Sequence, residues 1–188
     1  MPKLQIIVVS TRDGRAGLPL ATWFHERAKA HGGFEVDLVD LREVALPLFN
    51  EPKHPRFKQY AHDHTKRWSE RVGSADAFVF VTPEYNYGVP PSLINAVDFL
   101  SQEWAYKAAG FVSYGGVSGG TRAVQMAKLV LTSLKIVAIP EAVSIPFFAK
   151  LVDEKGTFDG ASQEAAAKTM LDELARWTGA LVTLRRPA

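Results

Sequence analysis

Leu4-Gln5-Ile6-Ile7-Val8-Val9, followed by Ser10-Thr11-Arg12-Asp13-Gly14-Arg15-Ala16-Gly17, is the stretch on which the fold turns. The first six residues are a largely β-branched, apolar run of the kind buried on both faces of a parallel sheet. The polar, turn-prone segment after Val9 stops that strand. Apolar positions Leu20, Trp23, Phe24 and Ala28 then recur at helical spacing. A helix over 18–31 is expected to end at Gly32-Gly33, where glycine accepts a left-handed cap without steric strain. This is the strand–loop–helix unit of an α/β fold.

The unit repeats along the chain. Phe34–Val39 alternates at period two and reads as a second, less buried strand. Prolines at 47, 52 and 55 force an extended loop over 46–55, and a polar helix is expected over 58–73. Ala77–Thr82 is a fully apolar strand closed by Pro83. A helix over 93–100, a strand over 108–114, a helix over 121–134, a short strand over 136–139 and a long helix over 162–181 follow. No repeat or internal linker interrupts them, so a single domain over residues 1–188 is expected, with one parallel sheet and helices on both faces. Five strands fit the flavodoxin-like order 2-1-3-4-5, a three-layer sandwich whose ligands bind beyond the strand C-termini at the switch point. A Rossmann-type half would show similar alternation, so the strand order stays an expectation.

Composition narrows the function classes. The 188 residues are 47% hydrophobic and carry a formal charge of +2, too small for a nucleic-acid partner, and no basic run exceeds two residues. Cysteine is absent, which excludes thiol catalysis and makes any redox chemistry depend on a cofactor. No apolar stretch approaches the roughly 20 residues of a membrane span, and no basic segment with an apolar core opens the chain. A cytoplasmic location is the expectation.

Three segments after strands one, three and four hold the unusual chemistry, and in this fold they lie side by side. The first, 10–17, joins hydroxyls, two arginines and glycines to a helix start, whose unpaired N–H groups and partial positive charge suit an anion. It lacks the Gly-Lys-Ser/Thr ending of a P-loop and does not match Gly-x-Gly-x-x-Gly. The second, Thr82-Pro83-Glu84-Tyr85-Asn86-Tyr87-Gly88-Val89-Pro90-Pro91, is stiffened by proline and offers flat and hydrogen-bonding groups for a planar heterocycle. The third, Ser113-Tyr114-Gly115-Gly116-Val117-Ser118-Gly119-Gly120-Thr121-Arg122, has four glycines in six positions, best explained by close backbone approach to a ligand.

Together these loops resemble the NADPH-dependent FMN reductase family, a flavodoxin-like group that includes soluble quinone and azo-dye reductases. The likeness rests on Ser10-Thr11-Arg12-x-x-Arg15, on Pro83-Glu84-Tyr85-Asn86 with Asn95-Ala96, and on Tyr114-Gly115-Gly116-x-x-Gly119-Gly120. It implies FMN as cofactor and NADPH or NADH as co-substrate. The first loop, Ser10, Thr11, Arg12 and Arg15 with the amides near Gly17 and Leu18, would then hold the FMN phosphate. Pro83, Glu84, Tyr85 and Asn86 would line the isoalloxazine ring, with Ser113, Gly115, Gly116, Ser118 and Gly119 along the ring and ribityl side. Hydride would pass to flavin N5 and two electrons onward to a small acceptor such as a quinone, free flavin or azo compound, and no catalytic side chain is implied. A homodimer or homotetramer is implied as well. The chain departs from the family pattern at Val9, where glycine is common, and at Ile94, where lysine is common.

A flavin-binding electron carrier or redox sensor is the alternative function, although such carriers are usually acidic. Gly116-Val117-Ser118-Gly119-Gly120 meets the nucleophile-elbow pattern, but the last histidine is His64 and a triad needs one later. His62-x-His64 on a helix would point about 200° apart, so a surface patch is expected rather than a metal site. Trp23, Trp68 and Trp177 are expected in the core, with Trp104 and Tyr106 partly exposed near the site.

Overall fold

Alternate residues of a strand face opposite ways, and this chain uses that to build two cores. In the computed structural model, which describes residues 1–185, β1 (Lys3–Val8) sends Leu4, Ile6 and Val8 into one apolar cluster and Ile7 into the other. β3 (Ala77–Pro83) divides in the same way, with Val79 and Val81 against Phe78 and Phe80. β2 (Glu35–Asp40), β4 (Ala108–Tyr114) and β5 (Val137–Ile145) complete a parallel sheet of order β2-β1-β3-β4-β5. The flavodoxin-like order expected from the element count is the observed one. The chain winds outward from β1 in both directions, which leaves a crevice at the C-terminal ends of β1 and β3.

Helices α1 (Gly17–His31) and α6 (Glu164–Arg185) cover one face through Leu20, Phe24, Leu171 and Leu174. On the other face α3 (Asp63–Gly73), α4 (Pro91–Asp98) and α5 (Thr121–Ser133) bring Trp68, Leu93, Val97 and Leu131. α1 ends as expected at Gly32, with φ +73° and its N–H on the Lys29 carbonyl.

The differences from the sequence expectations have local causes. β5 runs to Ile145 rather than stopping at 139, because it absorbs an irregularity: Ala109 pairs with Ala138, then Phe111 with Ala142. Pro140, which has no N–H to give a ladder, falls within it. A further short helix, α2 (Leu41–Val44), follows β2; the Asp40 carboxylate caps it by accepting from the Arg42 N–H at 2.9 Å. α3 starts at Asp63, since Lys58 takes a left-handed φ of +52° after the 3-10 turn Pro55–Phe57.

Three aromatic assignments change. Trp177 is 39% exposed, whereas Trp68 is buried and Trp23 packs edge-on against Phe158 at 5.3 Å. Trp104 is fully buried against Phe78, with ring centroids 4.9 Å apart, and its indole N–H donates to the Val97 carbonyl. Trp104 and Tyr106 precede β4 and so lie at the opposite end of the sheet from the three loops. His62 precedes α3 in extended backbone, so its ring stacks on His64 at 5.1 Å instead of pointing away. No group of three or more His, Asp or Glu side chains that could hold a metal occurs among the described residues.

Candidate functional site

The first loop leads into a helix that nothing caps. Ala16 occupies the cap position with no side chain to accept a hydrogen bond, and the first turn of α1 carries no acidic residue. Pro19 has no N–H, so the amides of Gly17 and Leu18 are the first-turn donors without an intrahelical acceptor. The two arginines of the loop differ. Arg12 is exposed, reaches only the Asp13 carbonyl at 3.4 Å, and has no ion pair among the described residues. Arg15 folds inward onto Asp40, both side chains being nearly buried, and its Nε is left without a partner. The open pair of cations expected from sequence is thus one open cation and one already compensated. Thr11 is exposed, whereas Ser10 is buried, its hydroxyl 2.7 Å from that of Tyr85.

The second loop is a tight hairpin turn. Tyr85 and Gly88 exchange backbone hydrogen bonds of 3.0 and 2.9 Å, and Asn86 and Tyr87 between them sit at φ +50° and +67°. Asparagine tolerates that region; for tyrosine it is strained. Arg122, in the first turn of α5, lies 3.9 Å over the Tyr87 ring and offsets part of the strain by cation–π attraction. The same Arg122 donates from its backbone N–H at 3.1 Å and its Nε at 2.6 Å to the Glu84 carboxylate. Burial alone would raise the Glu84 pKa, but hydrogen bonds from Arg122 and Ser118 outweigh it and hold the carboxyl below its ordinary value. Glu84 is therefore a fixed anion that locks the second loop to the third. Pro83 closes β3 and is buried.

In the third loop the glycines divide. Gly119 and Gly120 have φ +58° and +86°. A Cβ on Gly119 would collide with Ser144 Oγ, and one on Gly120 would lie 2.7 Å from the Tyr114 nitrogen. Those two glycines are required by the loop's own path. Gly115 is also crowded from within, its Cβ position 3.2 Å from the Gly120 nitrogen. Gly116 is exposed and a Cβ there would meet nothing. The Ser113 hydroxyl is spent on the Gly119 carbonyl at 2.8 Å, and Ser118 Oγ accepts from the Gly120 N–H at 3.3 Å.

Three residues of this region have contacts that the sequence reading did not assign. Asp40 and Arg122 act on partners 25 and 38 positions away, and only folding brings those pairs together. Tyr114 is buried with its hydroxyl lacking any partner. A hollow of about 360 Å³ adjoins the first loop, lined by Thr11, Leu41, Arg42, Leu46, Pro91 and Asn95.

Residues 2–150 match the NADPH-dependent FMN reductase family. The chain belongs to that family. It is 40% identical over 149 residues to an NAD(P)H-dependent FMN reductase of Schizosaccharomyces pombe, covering 77% of this chain and 74% of the relative. To a quinone reductase of Pseudomonas putida it is 32% identical over 141 residues, covering 70% and 73%. Among solved structures, the NAD(P)H:acceptor flavoenzyme FerB of Paracoccus denitrificans superposes with a TM-score of 0.74 over 95% of this chain and 98% of its own, at 22% identity, a likeness of fold. Membership makes this reductase an NAD(P)H-dependent oxidoreductase with FMN as cofactor. No helix among its described residues is long and apolar enough to cross a membrane.

Proposed function

We propose that the reductase holds the FMN phosphate at the start of α1 and seats the isoalloxazine between the second and third loops, where NAD(P)H and a quinone-class acceptor take turns at one open ring face. The observation that carries this reading is the uncapped start of α1, with two buried, unpartnered groups, Arg15 Nε and Tyr114 Oη, in the loops around it. An anion with several acceptor oxygens fits such a donor set, and the phosphate is that part of FMN. Arg12 supplies the open cation, Gly17 and Leu18 the amides, and Ser10, Thr11 and Arg15 the remaining first-loop donors. Pro83, Glu84, Tyr85 and Asn86 form one wall for the ring, and Gly115, Gly116, Ser118 and Gly119 the other, with Ser113 bracing the loop from behind. The chemistry FMN supplies when bound is two-electron exchange at N5. The chain's part is to fix the ring. Glu84, held ionised, keeps the two walls together and donates no proton.

Quinones are the favoured acceptors because the relative from Pseudomonas putida is named a quinone reductase and one from a Burkholderia species a 2-hydroxy-1,4-benzoquinone reductase. A homodimer or homotetramer fits the same surface: Tyr87, Val117, Met126, Leu129 and Phe147 are exposed large apolar side chains on the rims of the loops and along α5. The test is an anaerobic spectrum of the FMN-loaded protein. The flavin band near ~450 nm is expected to bleach with NADPH or NADH and to return when a quinone is added. Flavin that stays oxidised with either nicotinamide would contradict the reading.

A further inference from the structure

Each of the three loops sends one hydroxyl toward the same place: Ser10 from the first, Tyr85 from the second, and Tyr114 from the end of β4. Ser10 Oγ and Tyr85 Oη are 2.7 Å apart and share one hydrogen bond, in which either can be the donor. Three hydroxyls carry three protons, and that bond uses one. A second proton, on whichever member of the pair accepts, and the third, on Tyr114, are uncommitted.

Tyr114 is the telling member. Only 3% of the residue is exposed, its ring packs edge-on against Phe148 at 5.0 Å, and Oη has no partner. Burying a hydroxyl without a partner is unfavourable, and phenylalanine would fill the same space without that penalty. The hydroxyl also constrains its neighbour. A Cβ on Gly17 would stand 2.7 Å from Oη, so the first residue of α1 is glycine in a conformation that does not otherwise demand one. A group that is destabilising in itself and dictates the residue beside it, at an uncapped helix start, is a group held for a ligand.

We propose that Tyr114, together with Ser10 and Tyr85, forms a three-hydroxyl clamp on the FMN phosphate, with Tyr114 Oη as a direct donor and the Tyr85 hydroxyl, at the end of the ring wall, also serving the phosphate. This inference rests on the reading of the first loop as the phosphate site. Burial and the neighbouring Tyr85 raise the phenol's pKa, against the opposite influence of Ser10, Arg12 and Arg15, so it stays a neutral donor that does not repel an anion. Oη is shielded from solvent. The same shielding strengthens the bond once made.

The experiment compares wild type with Tyr114→Phe in three readouts: FMN affinity, riboflavin affinity, and thermal stability of the FMN-free protein. Riboflavin has the ring and lacks the phosphate. Expected are an FMN Kd raised about tenfold, the scale of a lost hydrogen bond to a charged group, a riboflavin Kd within about twofold of wild type, and an FMN-free Tm equal to or above wild type. Tyr85→Phe is expected to show the same pattern in the two affinities. An unchanged FMN Kd in Tyr114→Phe, or equal losses for FMN and riboflavin, would overturn the clamp while leaving the FMN reading intact. A wild type that binds FMN no better than riboflavin would overturn the phosphate site itself.

Discussion

At the N-terminal end of the sheet, the buried charges of Glu103 and Lys107 are hydrogen-bonded, whereas at the C-terminal end Tyr114 and Arg15 keep buried polar atoms without partners. Glu103 accepts from Tyr60 at 2.8 Å and Ser69 at 2.7 Å, and Lys107 donates to the Val72 and Gly73 carbonyls at 2.9 and 3.2 Å. Tyr114 Oη and Arg15 Nε have nothing comparable. Of the other unpartnered buried atoms, Gln5 Oε1 lies on β1 beside the N-terminal end, where its Nε2 donates to the Arg71 carbonyl, and those of Thr65 and Glu141 lie on α3 and β5. One end has its buried charges paired, and the other leaves two polar atoms open around a single helix start. The difference separates what holds this reductase together from what it holds.

If the two ends are independent, the largest effect comes from the closed one. Trp104→Ala removes a fully buried indole and should cost about 3–5 kcal/mol of unfolding free energy in a denaturant titration, while the FMN affinity of the folded fraction stays at the wild-type value. An affinity that fell in step with stability would break the comparison. Next come two glycines of one loop. Gly120→Ala forces a Cβ onto Tyr114 backbone at a left-handed φ and should lower stability by about 1–3 kcal/mol. Gly116→Ala points into open space; its stability should stay within ~0.5 kcal/mol of wild type, with FMN bound about tenfold more weakly.

Smaller effects follow from the charges. Arg122→Met removes the partner that lowers the Glu84 pKa. That contribution is fully present above the ordinary value of 4.5 and is lost as pH falls through the lowered folded value. Unfolding curves should therefore show wild type more stable than Arg122→Met at neutral pH, with the gap narrowing below 4.5. A gap independent of pH would mean that Arg122 acts through Tyr87 alone. For Lys107, burial lowers the pKa from 10.5 to about 8. The folded protein then sheds this proton before the unfolded chain does, so wild type should gain stability relative to Lys107→Met as pH rises from about 8 to 10.5. A flat difference across that window would show that the two carbonyl contacts fully support the charged amine.

The fold was legible because β1, β3 and β4 are largely apolar on both parities, Gly32 closes α1 and Pro83 closes β3. What escaped was set by long-range pairing. β5 hides its second half behind Pro140, and α2 depends on Asp40, an aspartate just past the expected strand. At the site, the three loops stood out by residue type, but their internal division did not. Nothing local distinguishes Arg12 from Arg15 until Asp40 is in place, or Gly116 from Gly119 until Ser144 is. Trp104 looked like a loop aromatic near the site because its burial comes from Phe78, 26 positions back across the sheet.

The most direct measurement is a crystal structure of the FMN-loaded protein. The phosphate should lie within hydrogen-bond distance of the Gly17 and Leu18 amides, with the ring between residues 83–86 and 115–119. A phosphate or ring seated instead in the hollow between α2 and α4, with the start of α1 left open, would contradict the account.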